Sequence, residues 1–141
     1  MNKLSTILSW VFQIVAAAIL AQTLYFKFSG HPESVKLFSE LGMEPHGRVL
    51  IGILELVAVL LLIRPTSAIW GAILSVGVMS GAIIGHFTHL GWDGERGQLG
   101  MLAVLVFVAS LAVLAIRRKT IPFLKSVFDE NVPVEAPVEE E

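Results

Sequence analysis

Cysteine is absent from the chain. That excludes disulfide staples, thiolate-held zinc or iron–sulfur centres, and any thiol–disulfide relay run by this chain alone. Charge is also scarce: 16% of the 141 residues are charged and 55% are hydrophobic, and the mean hydropathy is +0.75. Soluble domains are roughly a quarter charged, and a water-facing surface needs that charge to stay in solution. An ordinary soluble domain is therefore excluded. There is no glycine-rich phosphate loop, no serine-centred nucleophile motif and no basic patch suited to nucleic acid. These absences argue against an enzyme acting as an isolated chain and against a nucleic-acid partner.

What is present is long apolar runs. Leu4–Phe26 is 23 residues without charge, Pro65–Trp92 is 28 and Gly97–Ile116 is 20, while the 15 residues between Arg48 and Arg64 are interrupted only by Glu55. A helix needs about 20 apolar residues to cross a hydrocarbon core of about 30 Å. Three runs meet this outright, and the second meets it if its helix starts near His46 and Arg48 snorkels to the headgroups. Backbone polar groups in hydrocarbon must be satisfied within a segment or a closed barrel, and the runs lack the alternation of barrel strands. The expected fold is all-α: a four-transmembrane-helix bundle with spans at about 4–26, 46–64, 66–89 and 97–116. Lys3 followed by an apolar run also matches a secretory signal, but the run exceeds a signal core and three more spans follow.

The first connection carries its own pattern. Pro32 suits a first helical turn, Val35, Phe38 and Leu41 share a face, and Gly42 offers a stop. This predicts a short amphipathic helix over about 32–41, between spans one and two, on the membrane surface or lidding the bundle. The tight Arg64-Pro65-Thr66 link makes spans two and three antiparallel neighbours. Six of the twelve acids fall in the last thirteen residues, which leaves six acids against ten bases in the remainder, a net +4. Residues 1–128 are thus expected to form one mildly basic membrane domain, and 129–141 an acidic disordered tail. With four spans, Lys3, Arg64, Arg117, Arg118, Lys119 and Lys125 share one side and Lys27, Lys36, Arg48 and Arg96 the other. That bias puts both termini in the cytoplasm, with the chain in a bacterial inner membrane.

Glu55 is the sharpest signal, lying midway along the second span. A carboxylate at that depth costs about 2.5–3.5 kcal/mol on insertion scales unless it is paired or protonated. Two roles stay open: a structural glutamate bonded to neighbouring helices, or a proton-transfer or ligand-binding group. Counting at about 1.5 Å per residue sets Gln22 and Ser80 at comparable depth, with Lys27 and His86 able to reach inward from the same end. The expected intramembrane polar site is Glu55, Gln22, Ser80, Lys27 and His86. Gly77, Gly81 and Gly85 recur at intervals of four, a small-residue stripe expected to pack against another helix. His31, His46, His86 and His89 lack a recognised ligand spacing, so no metal site is expected. Trp10, Tyr25, Trp70 and Trp92 sit near predicted interfaces as anchors.

Taken together, Lys27 closing the first span, Leu41-Gly42 and Pro45 in the loop, Gly52-Ile53-Leu54-Glu55-Leu56 in the second span, its end at Arg64-Pro65, and His86 late in the third resemble the DoxX-like membrane proteins. Many of those carry an arginine in the first span, which here has none. The resemblance implies a four-helix membrane bundle and an association with quinone-linked redox complexes. Quinone is then the cofactor to consider, and the partners are the bilayer, membrane redox subunits or further copies of the chain. Two other roles stand beside an accessory redox subunit: a small carrier or binding protein for a lipophilic or protonatable solute, and a membrane assembly factor.

Overall fold

The computed structural model describes residues 1–118. The expected acidic tail at 129–141 lies outside the described residues. Helix α1 spans Lys3–Phe28, α2 Pro32–Glu40, α3 His46–Leu62, α4 Ala68–Gly85 and α5 Glu95–Arg117, and α4 runs on through a π-helical turn, His86–Leu90. The described residues contain no strand. Each helix has a local cause. Asn2 caps α1, its side chain accepting the Ser5 amide at 2.7 Å. Helix α2 has Pro32 in its first turn and ends in a reciprocal turn, the Met43 amide bonding Phe38 O at 2.8 Å and the Gly42 amide Ser39 O at 3.1 Å. That closure needs a left-handed residue, and Gly42 supplies it with φ 69°.

The four long helices form a ring in which α1 packs on α3 and α5, and α4 packs on the same two. Consecutive long helices are antiparallel, so this is an up-and-down bundle. One end of the bundle carries the start of α1, the α3–α4 link and the end of α5; call it the terminal end. The other, the loop end, carries α2 and the α4–α5 link.

The packing has small residues inside and large ones outside. Ala16, Ala17, Ala58, Ala68, Ala72, Ala103 and Ala109 form the buried core with Leu20, Leu62, Val106 and Val113. Leu4, Ile7, Ile14, Leu50, Ile53, Leu60, Trp70, Ile73, Ile84, Leu105 and Val108 are exposed. Buried alanines let backbones approach, which is how helices associate where lipid tails are as apolar as leucine. An exterior this apolar has no stable contact with water.

Three helical segments are long and apolar enough to cross a membrane: Lys3–Phe28, Ala68–Leu90 and Glu95–Arg117. Helix α3 has 17 residues, about 26 Å at 1.5 Å per residue, and falls just short.

The glycines that bring helices together are not the evenly spaced ones. A methyl group on Gly71 would stand 2.7 Å from Leu62 N and 3.0 Å from Ala58 O, so α4 and α3 touch backbone to backbone there. At Gly77 and Gly81 nothing lies within 4 Å of such a methyl, and Gly85 meets only Leu41 after α2, at 3.5 Å. Among the described residues, the stripe at intervals of four is therefore not the surface on which α4 packs against another long helix. It lies beside the contact face set by Gly71.

Candidate functional site

Glu55 projects from the middle of α3 into the bundle and is 3% exposed. Its Oε2 stands 3.0 Å from Lys27 Nζ at the end of α1, with 14% of the Lys27 side chain and 4% of the Glu55 side chain exposed. The Thr23 hydroxyl, one turn before Lys27, lies 3.2 Å from the same oxygen and 2.9 Å from Leu20 O. Its single proton is shared between two acceptors. Arg48, in the first turn of α3, is held by both oxygens of Glu44 at 3.0 Å and donates to the Lys27 carbonyl. The end of α1 is thus fastened to α3 twice, its backbone by the Arg48 side chain and its ammonium by Glu55, two turns further along α3.

Lys27 and Glu55 form part of the wall of a cavity of about 250 Å³ in the loop-end half of the bundle. Thr23 lines it beside them, and most of the remaining wall is apolar: Ile19 of α1, Ile51 of α3, Val78, Met79 and Ala82 of α4, Leu99, Leu102 and Ala103 of α5. Leu37, Phe38 and Leu41 close it from α2, and His86 lines it from the π turn. His86 is 6% exposed. Its Nδ1 lies 2.9 Å from Ala82 O, and its Nε2 is buried without a hydrogen-bond partner among the described residues. Trp92 stacks beside it, ring centroids 5.3 Å apart. The floor under both rings is Gly100, where a methyl would stand 2.5 Å from Trp92 Cζ3 and 3.0 Å from His86 Cδ2. Trp92 thus fills an interhelical gap beside His86, a packing role beyond that of an interface anchor. At the loop end, Arg96 of α5 pairs with Glu40 of α2 and donates to Leu90 O at 3.1 Å.

Of the residues named from sequence, Glu55 and Lys27 meet directly, and His86 lines the same cavity. Gln22 does not join them: it is exposed on the outside of α1, and Thr23, one residue and about 100° further round, takes its place. Ser80 bonds its own helix, at 2.6 Å from Val76 O. Gly81 lies on the cavity wall, while Gly77 faces open space. No cluster of three or more metal-ligating side chains occurs among the described residues.

A second polar group, unforeseen from sequence, sits at the terminal end. Ser9, Gln13 and Arg117 are buried. Arg117 Nε donates to Ser9 Oγ at 2.6 Å and to Gln13 Oε1 at 3.1 Å, and its NH1 reaches Pro65 O at 2.9 Å. Gln13 Nε2 donates to Leu62 O at 2.6 Å. These bonds join α1, α5 and the α3–α4 link and satisfy carbonyls that the end of α3 leaves without helical partners. The available signal was Ser9 and Gln13, four apart in an otherwise apolar run.

A ring of helices with an apolar exterior, small residues within and three segments of spanning length defines a multi-pass membrane protein in contact with the lipid bilayer. The chain belongs to the DoxX-like family, whose model matches residues 11–115. No curated protein and no solved structure matches it.

Proposed function

We propose that this protein is a four-span bundle of the bacterial cytoplasmic membrane, both ends cytoplasmic, that binds a small lipophilic molecule in the cavity beside Lys27 and Glu55. The observation that carries this reading is the cavity itself: almost wholly apolar, with one buried ion pair in its wall. Apolar cavities of about 150 Å³ take up single aromatic rings, so 250 Å³ has room for a ring with a short tail. The ion pair gives such a ligand one polar anchor, the usual division of labour in a small-molecule site.

The fourth span in this reading is α3. It lies between α1 and α4 and connects their opposite ends, so if those two cross the bilayer α3 crosses with them. Arg48 and His46 would mark one headgroup region and Arg64 the other. In the sequence, six bases (Lys3, Arg64, Arg117, Arg118, Lys119 and Lys125) stand against four (Lys27, Lys36, Arg48 and Arg96), and that excess supports cytoplasmic termini.

Within this reading, the family supports quinone as the ligand and an accessory subunit of a membrane redox complex as the setting. Lys27 is an N–H donor of the kind a quinone carbonyl accepts, and a bound quinone would supply the electron chemistry that the chain's side chains lack. A carrier for a protonatable solute is the second reading. It is favoured by Glu55, the acidic side chain that lines the cavity.

The test is purification in mild detergent followed by solvent extraction and chromatography of bound lipophiles. A quinone, or another ring-bearing lipid, present at near one per chain and lost in an Ala82→Trp variant that fills the cavity, is the expected result. Copurifying dehydrogenase subunits would favour the redox setting, and solute uptake into liposomes that is altered by Glu55→Gln would favour the carrier. An extract identical in wild type and filled variant refutes ligand binding in this cavity.

A further inference from the structure

The ion pair is not the sole polar feature of the cavity. His86 lines it, is 94% buried by its 6% exposure, and carries a buried ring nitrogen with no partner. Burying a polar atom without a hydrogen bond is costly, and native proteins seldom do it without reason.

The protonation pattern of the ring follows from its other nitrogen. Nδ1 lies 2.9 Å from Ala82 O, and a carbonyl can only accept, so Nδ1 carries the hydrogen. A neutral imidazole has one N–H, so Nε2 holds a lone pair and is an acceptor. On the opposite wall, Lys27 offers N–H donors. The cavity wall therefore carries Lys27 as a donor and three acceptors: the Glu55 carboxylate and the Thr23 hydroxyl, which already have partners, and His86 Nε2, which has none among the described residues. A ligand bearing only carbonyl or ether oxygens could answer Lys27 and would leave Nε2 unmet. A ligand with a hydroxyl could answer both, donating its proton to His86 and accepting from Lys27.

We infer that the cavity selects lipophilic ligands whose polar end is a hydroxyl, a phenol or an aliphatic alcohol, with His86 Nε2 as the acceptor that recognises the O–H. This rests on the reading of the cavity as a lipophile site and narrows its ligand from a quinone carbonyl to a hydroxyl, the group a quinone carries once reduced. His86 is fixed for the task. Its Nδ1 bond sets the tautomer, Trp92 lies against the ring, and the absence of a side chain at Gly100 leaves the ring its place.

The test compares para-butylphenol with its O-methyl ether, nearly equal in shape and lacking only the donor proton. Both are titrated by equilibrium dialysis into the full chain in lipid nanodiscs, with empty nanodiscs as the partition baseline. The expected result is saturable binding of both, the phenol about tenfold tighter, as one buried hydrogen bond implies. In a His86→Phe variant that preference should vanish while ether binding persists. Should the variant fail to fold, ¹⁵N spectra of the histidine-labelled wild type decide, the Nε2 resonance of a buried imidazole moving with phenol and not with ether. Equal affinity of phenol and ether for wild type, or a preference that survives His86→Phe, overturns this inference and leaves the lipophile site standing. No saturable binding of either compound overturns both.

Discussion

Removal of the Lys27 ammonium is the most direct way to ask whether the buried ion pair holds the bundle together. In Lys27→Met the Glu55 carboxylate stays in place, 3% exposed, with its partner at 3.0 Å gone. Breaking a buried pair by removing one member costs about 3–5 kcal/mol, because the remaining charge has neither water nor a counter-charge. The Thr23 hydroxyl at 3.2 Å offsets part of this, although it also serves Leu20 O. A cost of about 3 kcal/mol is expected, roughly a hundredfold in the folding equilibrium. Removing both charges in Lys27→Met/Glu55→Leu should restore stability to within about 1 kcal/mol of wild type, since a well-packed apolar pair often replaces a buried ion pair without loss. The assay is reversible unfolding in dodecylmaltoside micelles titrated with sodium dodecyl sulfate, followed by far-ultraviolet circular dichroism and closed into a double-mutant cycle. A cost below about 1 kcal/mol for Lys27→Met, or single costs that simply add in the double variant, would refute the reasoning.

Gly71→Ala and Gly77→Ala should part company in the same assay: the first loses about 1–3 kcal/mol through overpacking against Leu62 N and Ala58 O. The second, in open space, changes little or gains up to about 1 kcal/mol from helix propensity. Arg117→Leu removes the donor to Ser9, Gln13 and the Pro65 carbonyl and should cost about 3 kcal/mol, measured as the shift in unfolding midpoint, given that each bond to a charged group is worth about 1.5–3 kcal/mol. Glu40→Ala opens a half-exposed pair to Arg96 and should cost under about 1 kcal/mol overall. Its mark is local: hydrogen exchange of the α2 amides should accelerate a few-fold while the α5 amides stay unchanged.

Particular residues show why part of the structure was legible in the sequence. Glu55 could be placed because a carboxylate in an apolar run has few tolerable surroundings, and Lys27 because depth along a helix follows from counting. Helix rotation does not follow from counting. Gln22 and Thr23 sit at nearly the same depth and differ by about 100° of azimuth, and that angle decides which of them reaches Glu55. The glycines illustrate the same limit. Even spacing puts Gly77, Gly81 and Gly85 near one face, but which helix lies there depends on where α3 meets α4, and Gly71 sets that. Arg117 belongs to a basic run that fits an interface, so nothing in its neighbourhood separates it from Arg118. Its partners Ser9, Gln13 and Pro65 lie between 52 and 108 positions away.

The two polar groups and the cavity are parts of one solution to packing without water. Hydrocarbon gives helices no hydrophobic reason to associate, so a bundle in lipid relies on close backbone approach and on polar bonds between helices. Here the close approach is at Gly71 and the surrounding alanines, toward the terminal end, where Arg117 ties α1 and α5 to the α3–α4 link. At the loop end α1 and α3 are joined by an ion pair between long side chains, which holds helices together at a greater separation than alanines do. A space is the geometric consequence, and its wall necessarily includes the groups that span it. Lys27 and Glu55 are thus structural and cavity-facing at once, so loss of ligand binding on substitution of either would not by itself separate the two roles. His86 can separate them: among the described residues it joins no interhelical hydrogen bond, its Nδ1 being satisfied by Ala82 of α4. A ligand preference that depends on its free nitrogen, while the bundle's stability does not, would show that the space is used and is not merely left over from packing.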